Sequence, residues 1–165
     1  MNWSEFAQAT PELAELAKLR LEPLSLIGTL RRDGYPRISP IEAIIMGERL
    51  MLGMMWRSRK ALDLLRDPRC VLHNAVSNAD GSQGEAKLWG RAVDVTDAGL
   101  RARYGDACQE RFDWRPTEPY HLFELDIERA AYVVSNDQRQ LSLVWRAGRA
   151  LERRERAWTG SGYAE

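Results

Sequence analysis

The chain has 165 residues, 44% of them apolar and 29% charged. That length predicts one structural domain burying roughly 70% of its unfolded surface, and the composition excludes disordered, collagen-like and low-complexity architectures. Lys plus Arg and Asp plus Glu each number 24, so the net charge is zero, which argues against a general nucleic-acid binder that displaces counterions with excess cations.

The first element predicted is a helix. Thr10-Pro11-Glu12 places a capping hydroxyl, a proline at the first helical position and an acid in the first turn. Leu13, Leu16, Ala17 and Leu19 follow at helical spacing until Glu22-Pro23 stops the run, and an earlier turn starts near Ser4. The period then changes. Leu24 to Leu30 reads as a buried strand, Asp33-Gly34 as a tight turn and Tyr35 to Met46 as an extended stretch carrying Pro36 and Pro40. Gly47-Glu48-Arg49 turns the chain into a third strand, Leu50 to Met55, so these segments predict an antiparallel meander.

Ser58-Arg59-Lys60-Ala61 opens a short helix that Asp67-Pro68 ends, and Arg69 to Ser77 is a fourth strand. Asn78 to Gly84 is a polar loop. Glu85 to Val95 is a fifth strand, with Ala86, Leu88, Gly90 and Ala92 on one face. Thr96-Asp97 caps a helix to about Arg111, and Phe112 to Pro119 is an aromatic, proline-rich connection. Tyr120 to Val134 reads as a sixth strand or a bent pair, and Gln140 to Trp145 as the last strand. The arginine-rich segment after Gly148 reads as a tail with a mobile end at Gly160-Ser161-Gly162.

The chemistry-bearing residues are few. There is no Gly-rich phosphate loop and no serine in a nucleophile elbow. Cys70 and Cys108 read as packing residues, and with only His73 and His121 beside them they make no zinc site, so no metal is expected. The two histidines read as partly buried with local hydrogen bonds, and Glu124 and Asp126 as solvent-facing. Two isolated cysteines, no signal-peptide pattern in Met1 to Glu5 and apolar runs of only a few residues predict a cytoplasmic protein without a membrane partner.

One segment stands apart. In Trp56-Arg57-Ser58-Arg59-Lys60-Ala61 a strand gives way to a helix whose first positions are cationic. Unpaired backbone donors and the dipole already favour an anion there, and added cations oppose the dipole unless an anion is bound. A phosphate fits; the alternative is a solvated basic turn.

The order of elements is similar to that of the pyridoxamine 5'-phosphate oxidase-like superfamily, the flavin-binding split β-barrels. The residues that carry the resemblance are Gly34-Tyr35-Pro36-Arg37-Ile38-Ser39-Pro40, Leu50 to Met55, Ser58-Arg59-Lys60-Ala61 with Leu64 to Arg69, and Leu88-Trp89-Gly90-Arg91-Ala92. The match spans roughly residues 20 to 147. It implies a mainly β fold, an antiparallel split barrel with an N-terminal helix (1–22), a barrel domain (23–147) and a basic C-terminal tail (148–165), all one structural unit.

The resemblance further implies a homodimer with FMN at the subunit interface, or alternatively the deazaflavin coenzyme F-420. Ser58, Arg59 and Lys60 would hold the cofactor phosphate. Ser39, Pro40, Ile41, Met54 and Met55 would line the ring and side chain, and Glu85, Lys87 and Trp89 would come from the neighbouring strand. Tyr132 and Trp145 lie where the family often brings in an aromatic residue from the second subunit; Trp145 and Trp114 are read as exposed. The implied activity is a flavin- or deazaflavin-dependent oxidoreductase acting on a small conjugated molecule, with no catalytic acid–base residue assigned because the cofactor carries the hydride. A flavin- or haem-binding protein without turnover is the alternative. The family's vitamin B6 oxidase is longer and carries an Arg-x-His motif that Gln140 to Arg149 lacks, so that activity is not expected; Ser39 stands where that enzyme has an arginine against the cofactor, which implies an altered FMN affinity.

Overall fold

The computed structural model describes residues 1–22, 24–159, 161 and 162. Helix α1 is Trp3–Ala9 and α2 is Pro11–Leu21. Asn2 closes a reciprocal capping box with Glu5, which starts α1 at Trp3, one residue before Ser4. The expected cap at Thr10 does not form: its backbone caps α1, and its buried Oγ1 has no hydrogen-bond partner. Pro23 lies outside the described residues.

Nine strands follow, interrupted by two helices: β1 (Ser25–Leu30), β2 (Pro36–Ile41), β3 (Ala43–Met46), β4 (Arg49–Met55), α3 (Arg59–Arg66), β5 (Arg69–Asn74), β6 (Glu85–Asp94), α4 (Ala98–Phe112), β7 (Tyr120–Ser135), β8 (Arg139–Arg146) and β9 (Glu152–Ala157). The fold is an antiparallel split barrel with flanking helices, and its sheet is not closed.

The sequence order suggested a three-stranded meander, and the structure corrects this. β1 and β2 form the expected hairpin, but the extended stretch breaks at Glu42. Its second half, β3, crosses to the opposite end of the sheet and pairs with β4. The strand order is β2-β1-β5-β6-β7-β4-β3, so β2 and β4 are separated by four strands in the sheet. The two ends curl toward each other, and the split between them creates the site.

β7 is one continuous strand of 16 residues. β6 holds one of its edges over Phe123–Val133. The other edge is shared: β4 pairs with Tyr120–Glu124, and β8 with Arg129–Ser135. Met1 occupies the gap, accepting from the Ile127 amide at 2.8 Å, while its ammonium group pairs with Asp126. Asp126 and Glu124 are therefore not simply solvent-facing; Glu124 pairs with Arg49.

Alternation along the strands sends Ile27, Leu72, Leu88, Leu52, Phe123 and Leu125 inward, where Trp3, Phe6, Leu13 and Leu21 of the first two helices cover them. In β6, Ala86, Leu88, Gly90 and Ala92 face inward as their spacing predicts. Helix α4 packs Leu100, Tyr104 and Cys108 against Ile44, Met51 and Leu122 on the outer side of β3, β4 and β7. Both cysteines are buried packing residues, and burial pushes the Cys70 thiol up to about 12. The basic segment after Gly148 contains β9, a full partner of β8. Arg153 also reaches back to Glu12 of α2 at 2.7 Å. Of the expected mobile end, Gly160 lies outside the described residues, and Thr159 bonds the Gly162 carbonyl at 2.8 Å.

Candidate functional site: a cleft at the split of the barrel

The ends of β2 and β4, the first turn of α3 and the connection after α4 enclose a cavity of about 420 Å3. That size suits a small organic ligand or a cofactor ring. Pro40 and Ile41 form one wall; Gly53, Met54, Met55 and Trp56 form another. Trp114, Pro116, Thr117 and Pro119 cover them from the connection, with Tyr104, Tyr120 and Glu42 adding polar atoms. The lining is predominantly apolar and aromatic, with a few convergent polar groups.

The strand-to-helix turn is strained and polar. Arg57 has φ of 54°, a left-handed conformation that costs a residue with a side chain about a kcal/mol or more. The bend brings the Ser58 amide to the Met55 carbonyl at 3.1 Å. Ser58 occupies the N-cap position of α3, yet its hydroxyl caps nothing: Oγ is buried without a hydrogen-bond partner. A buried hydroxyl left unpaired costs about 1–3 kcal/mol, so this atom fits a site completed by a ligand. Two residues on, Lys60 enters the cleft and donates from Nζ to the Pro40 carbonyl at 2.5 Å. Burial pulls its pKa below the ordinary lysine value, partly offset by the Glu42 carboxylate.

Trp56 stacks on His121 with ring centroids 4.5 Å apart, and is itself 53% exposed at the cleft mouth. His121 is buried, and its Nε2 has no partner, unlike the local bonding expected from sequence. His73 does bond locally, through Nδ1 to the Asn74 carbonyl.

The expected site residues divide into three groups. Pro40, Ile41, Met54, Met55 and Lys60 line the cleft, with Ser58 at the turn beside them. Ser39 shares the Ile41 face of β2, opposite Ile27 of β1, but does not line the cleft, and Arg59 lines a neighbouring groove. Glu85, Lys87 and Trp89 are not in this cleft. They lie on the outer sheet face, where Glu85 bonds Lys87 at 3.0 Å and sits 3.6 Å from His73 Nε2. The Lys87 hydrogen bond holds the Glu85 carboxyl below its usual range despite partial burial.

Tyr132 and Trp145 are corrected: both are core residues. Trp145 is 2% exposed and packs on Phe6 at 5.3 Å between ring centroids, because β8 turns that face onto α1. Tyr132 is buried against Gly84, whose missing side chain makes room for the phenol. Trp114 is exposed as expected.

Sequence reasoning missed Glu42, Gly53, Tyr104, Trp114 and Tyr120 as cleft residues. The aromatic and proline content of residues 112–119 was a usable signal for a wall. Tyr104 had none, because only the packing of α4 on β4 brings its hydroxyl over Gly53. Among the described residues, no group of three or more His, Cys, Asp or Glu could hold a metal ion. No helix among them is long and apolar enough to cross a membrane.

The family model of pyridoxamine 5'-phosphate oxidase matches residues 9–134. The chain belongs to this family of split-barrel proteins, whose members generally bind flavin. Solved structures share the fold at low identity. A conserved hypothetical protein from Mycobacterium tuberculosis superposes with a TM-score of 0.61 at 19% identity, over 71% of this chain and 81% of its own. A protein of the pyridoxinephosphate oxidase family from Clostridium acetobutylicum, related to general stress protein 26, gives 0.60 at 16% over 87% and 96%. A haem-binding protein from Mycobacterium smegmatis gives 0.59 at 12% over 94% and 91%. No curated protein matches the sequence.

Proposed function

We propose that this protein is an FMN- or deazaflavin-dependent oxidoreductase that holds its cofactor ring in the cleft and acts on a small conjugated substrate as a homodimer. The observation that carries this reading is the unpaired, buried Ser58 hydroxyl two residues from a desolvated Lys60 at the mouth of an apolar cleft. A hydroxyl donor and a fixed ammonium suit a phosphate ester, and apolar walls suit a flat ring. FMN, when bound, supplies hydride chemistry.

The chain's own residues then bind, orient and exclude water. Ser58 and Lys60 take the phosphate, and Arg59 adds its charge from the adjoining groove. Pro40, Ile41, Met54 and Met55 wall the ring, while Trp56 and Trp114 shield it from solvent. Lys60 releases the Pro40 carbonyl as it turns to the phosphate. Its lowered pKa makes phosphate affinity fall at alkaline pH earlier than an ordinary lysine would, because only the protonated amine binds.

The dimer reading rests on the outer sheet face. Pro40, Leu26, His73, Lys87, Ala131 and Val144 stand opposite one another in a single cross-strand row. Ile38, 73% exposed, and Trp89 flank the row. Within one chain this face carries Glu85, Lys87 and Trp89 away from the cleft, so a second copy packed on it is what would bring them to a ligand. A haem- or flavin-binding protein without turnover is the second reading, favoured by the haem-binding structural relative.

Titration of the purified protein with FMN, coenzyme F-420 and haem, followed by fluorescence or absorbance, tests these readings. Saturable binding of FMN or F-420 that is lost on Lys60→Ala, followed by bleaching of the bound cofactor by a reductant and recovery with a conjugated acceptor, is expected. Haem binding alone moves the second reading forward. Binding of none overturns both, and a monomer by sedimentation overturns the dimer.

A further inference from the structure

Arg59 and Lys60 are neighbours in the first turn of α3, and helical geometry points them about 100° apart. Lys60 enters the cleft, whereas Arg59 lines a separate open groove of about 720 Å3 beneath the β1–β2 turn. The groove gathers five arginines, Arg31, Arg32, Arg37, Arg59 and Arg66, against only Asp33 and Asp63. Three positive charges are left uncompensated there, in a chain whose net charge is zero.

Both carboxylates are already committed. Asp63, 6% exposed, accepts from Arg37 Nε at 2.7 Å, from the Thr29 hydroxyl at 3.0 Å and from Arg66 Nη1 at 3.4 Å. Arg66 also donates to the Leu30 carbonyl. These bonds fix Arg37 and Arg66 as a floor. At the rim Arg31 pairs with Asp33 at 2.9 Å, while Arg32 and Arg59 have no acidic partner among the described residues. Guanidinium groups stay charged at any working pH, so their mutual repulsion persists unless an anion enters. Planar forks converging from a turn and a helix suit the oxygens of phosphoryl groups.

We propose that this groove is a second anion site that binds a multiply charged phosphoryl group, gripped by Arg31, Arg32 and Arg59 above the floor that Asp63 locks. The group is either a phosphoryl extension of a ligand seated in the cleft or a separate phosphorylated molecule. The site does not depend on the cleft taking a flavin.

The test is calorimetric titration of the full chain with inorganic pyrophosphate at low ionic strength. One saturable site per chain is expected beside any binding at the Ser58–Lys60 turn, and it is the one that persists in Lys60→Ala. Arg31→Ala/Arg32→Ala, on an exposed turn, weakens it about tenfold or more, the loss of charge-assisted bonds, and Lys60→Ala leaves it unchanged. A thermal melt of the double variant checks that it is folded. Absence of saturable binding, equal affinity in the double variant, or loss on Lys60→Ala overturns the proposal. Repeating the titration on FMN-saturated protein separates the sources: unchanged affinity supports an independent phosphorylated ligand, and mutual exclusion supports an extension of the cleft's own ligand. If pyrophosphate binds while FMN does not, the flavin reading fails and the groove stands.

Discussion

Gly53 sets the depth of the cleft. A Cβ there would lie 2.1 Å from the Tyr104 hydroxyl, a distance no pair of atoms tolerates, so α4 could not seat as it does. Gly53→Ala is expected to cost about 1–3 kcal/mol by overpacking and to weaken ligand binding in the cleft, read by denaturant unfolding and cofactor titration together. Asp63 works at the same scale. Burial alone would raise its pKa, but the hydrogen bonds from Arg37 and Thr29 outweigh that and hold it below the usual range. A depressed folded-state pKa stabilises the protein fully above about pH 4, the unfolded value, and that stabilisation is lost as pH falls through the folded one. Asp63→Asn is therefore expected to cost about 1–3 kcal/mol at pH 7, with the gap from the native chain narrowing in urea melts toward pH 3. Neither role was legible in the sequence. Asp63 reads as a polar position on a short helix, and Gly53 as one glycine in a strand.

At the scale of elements, most segments were legible because their hydrophobic periods are strong. β6 shows its inward face as an alternating series, and α3 announces itself with a serine before two cations. What the pattern did not carry was pairing. β2 and β3 form one extended stretch in sequence, yet they belong to opposite ends of the sheet, and no local preference encodes which edge a strand finds. β9 was hidden for a related reason. All six of its residues are exposed, so it has no apolar alternation to detect and owes its strand form to the β8 ladder. The register irregularity at Trp89/Gly90 is a further tertiary feature. A Cβ on Gly90 would lie 2.0 Å from the Asp126 carbonyl oxygen, and backbone cannot swing aside as a side chain does. Gly90→Ala is expected to cost more than about 3 kcal/mol, a larger loss than Gly53→Ala in the same unfolding assay.

Over the whole molecule, the N-terminal helices are part of the core rather than an appendage. Phe6 packs between Trp3 and Trp145, tying α1 to β8 across the full length of the chain. Trp145→Ala is expected to cost about 3–5 kcal/mol, lowering the melting temperature without altering pyrophosphate binding at the arginine groove. The amino-acid sequence by itself determined where most strands and helices begin and end and the basic turn at Ser58, because turn chemistry, capping and periodicity are local properties written residue by residue; the order of those segments carried the resemblance to the split-barrel family. Only the tertiary structure decided that Tyr104 and Trp114 join Lys60 around one cleft, that Trp145 is core, and that five arginines share a groove. Those facts depend on which sheet edge each strand pairs with and how α4 seats on β4, which are long-range choices settled by packing.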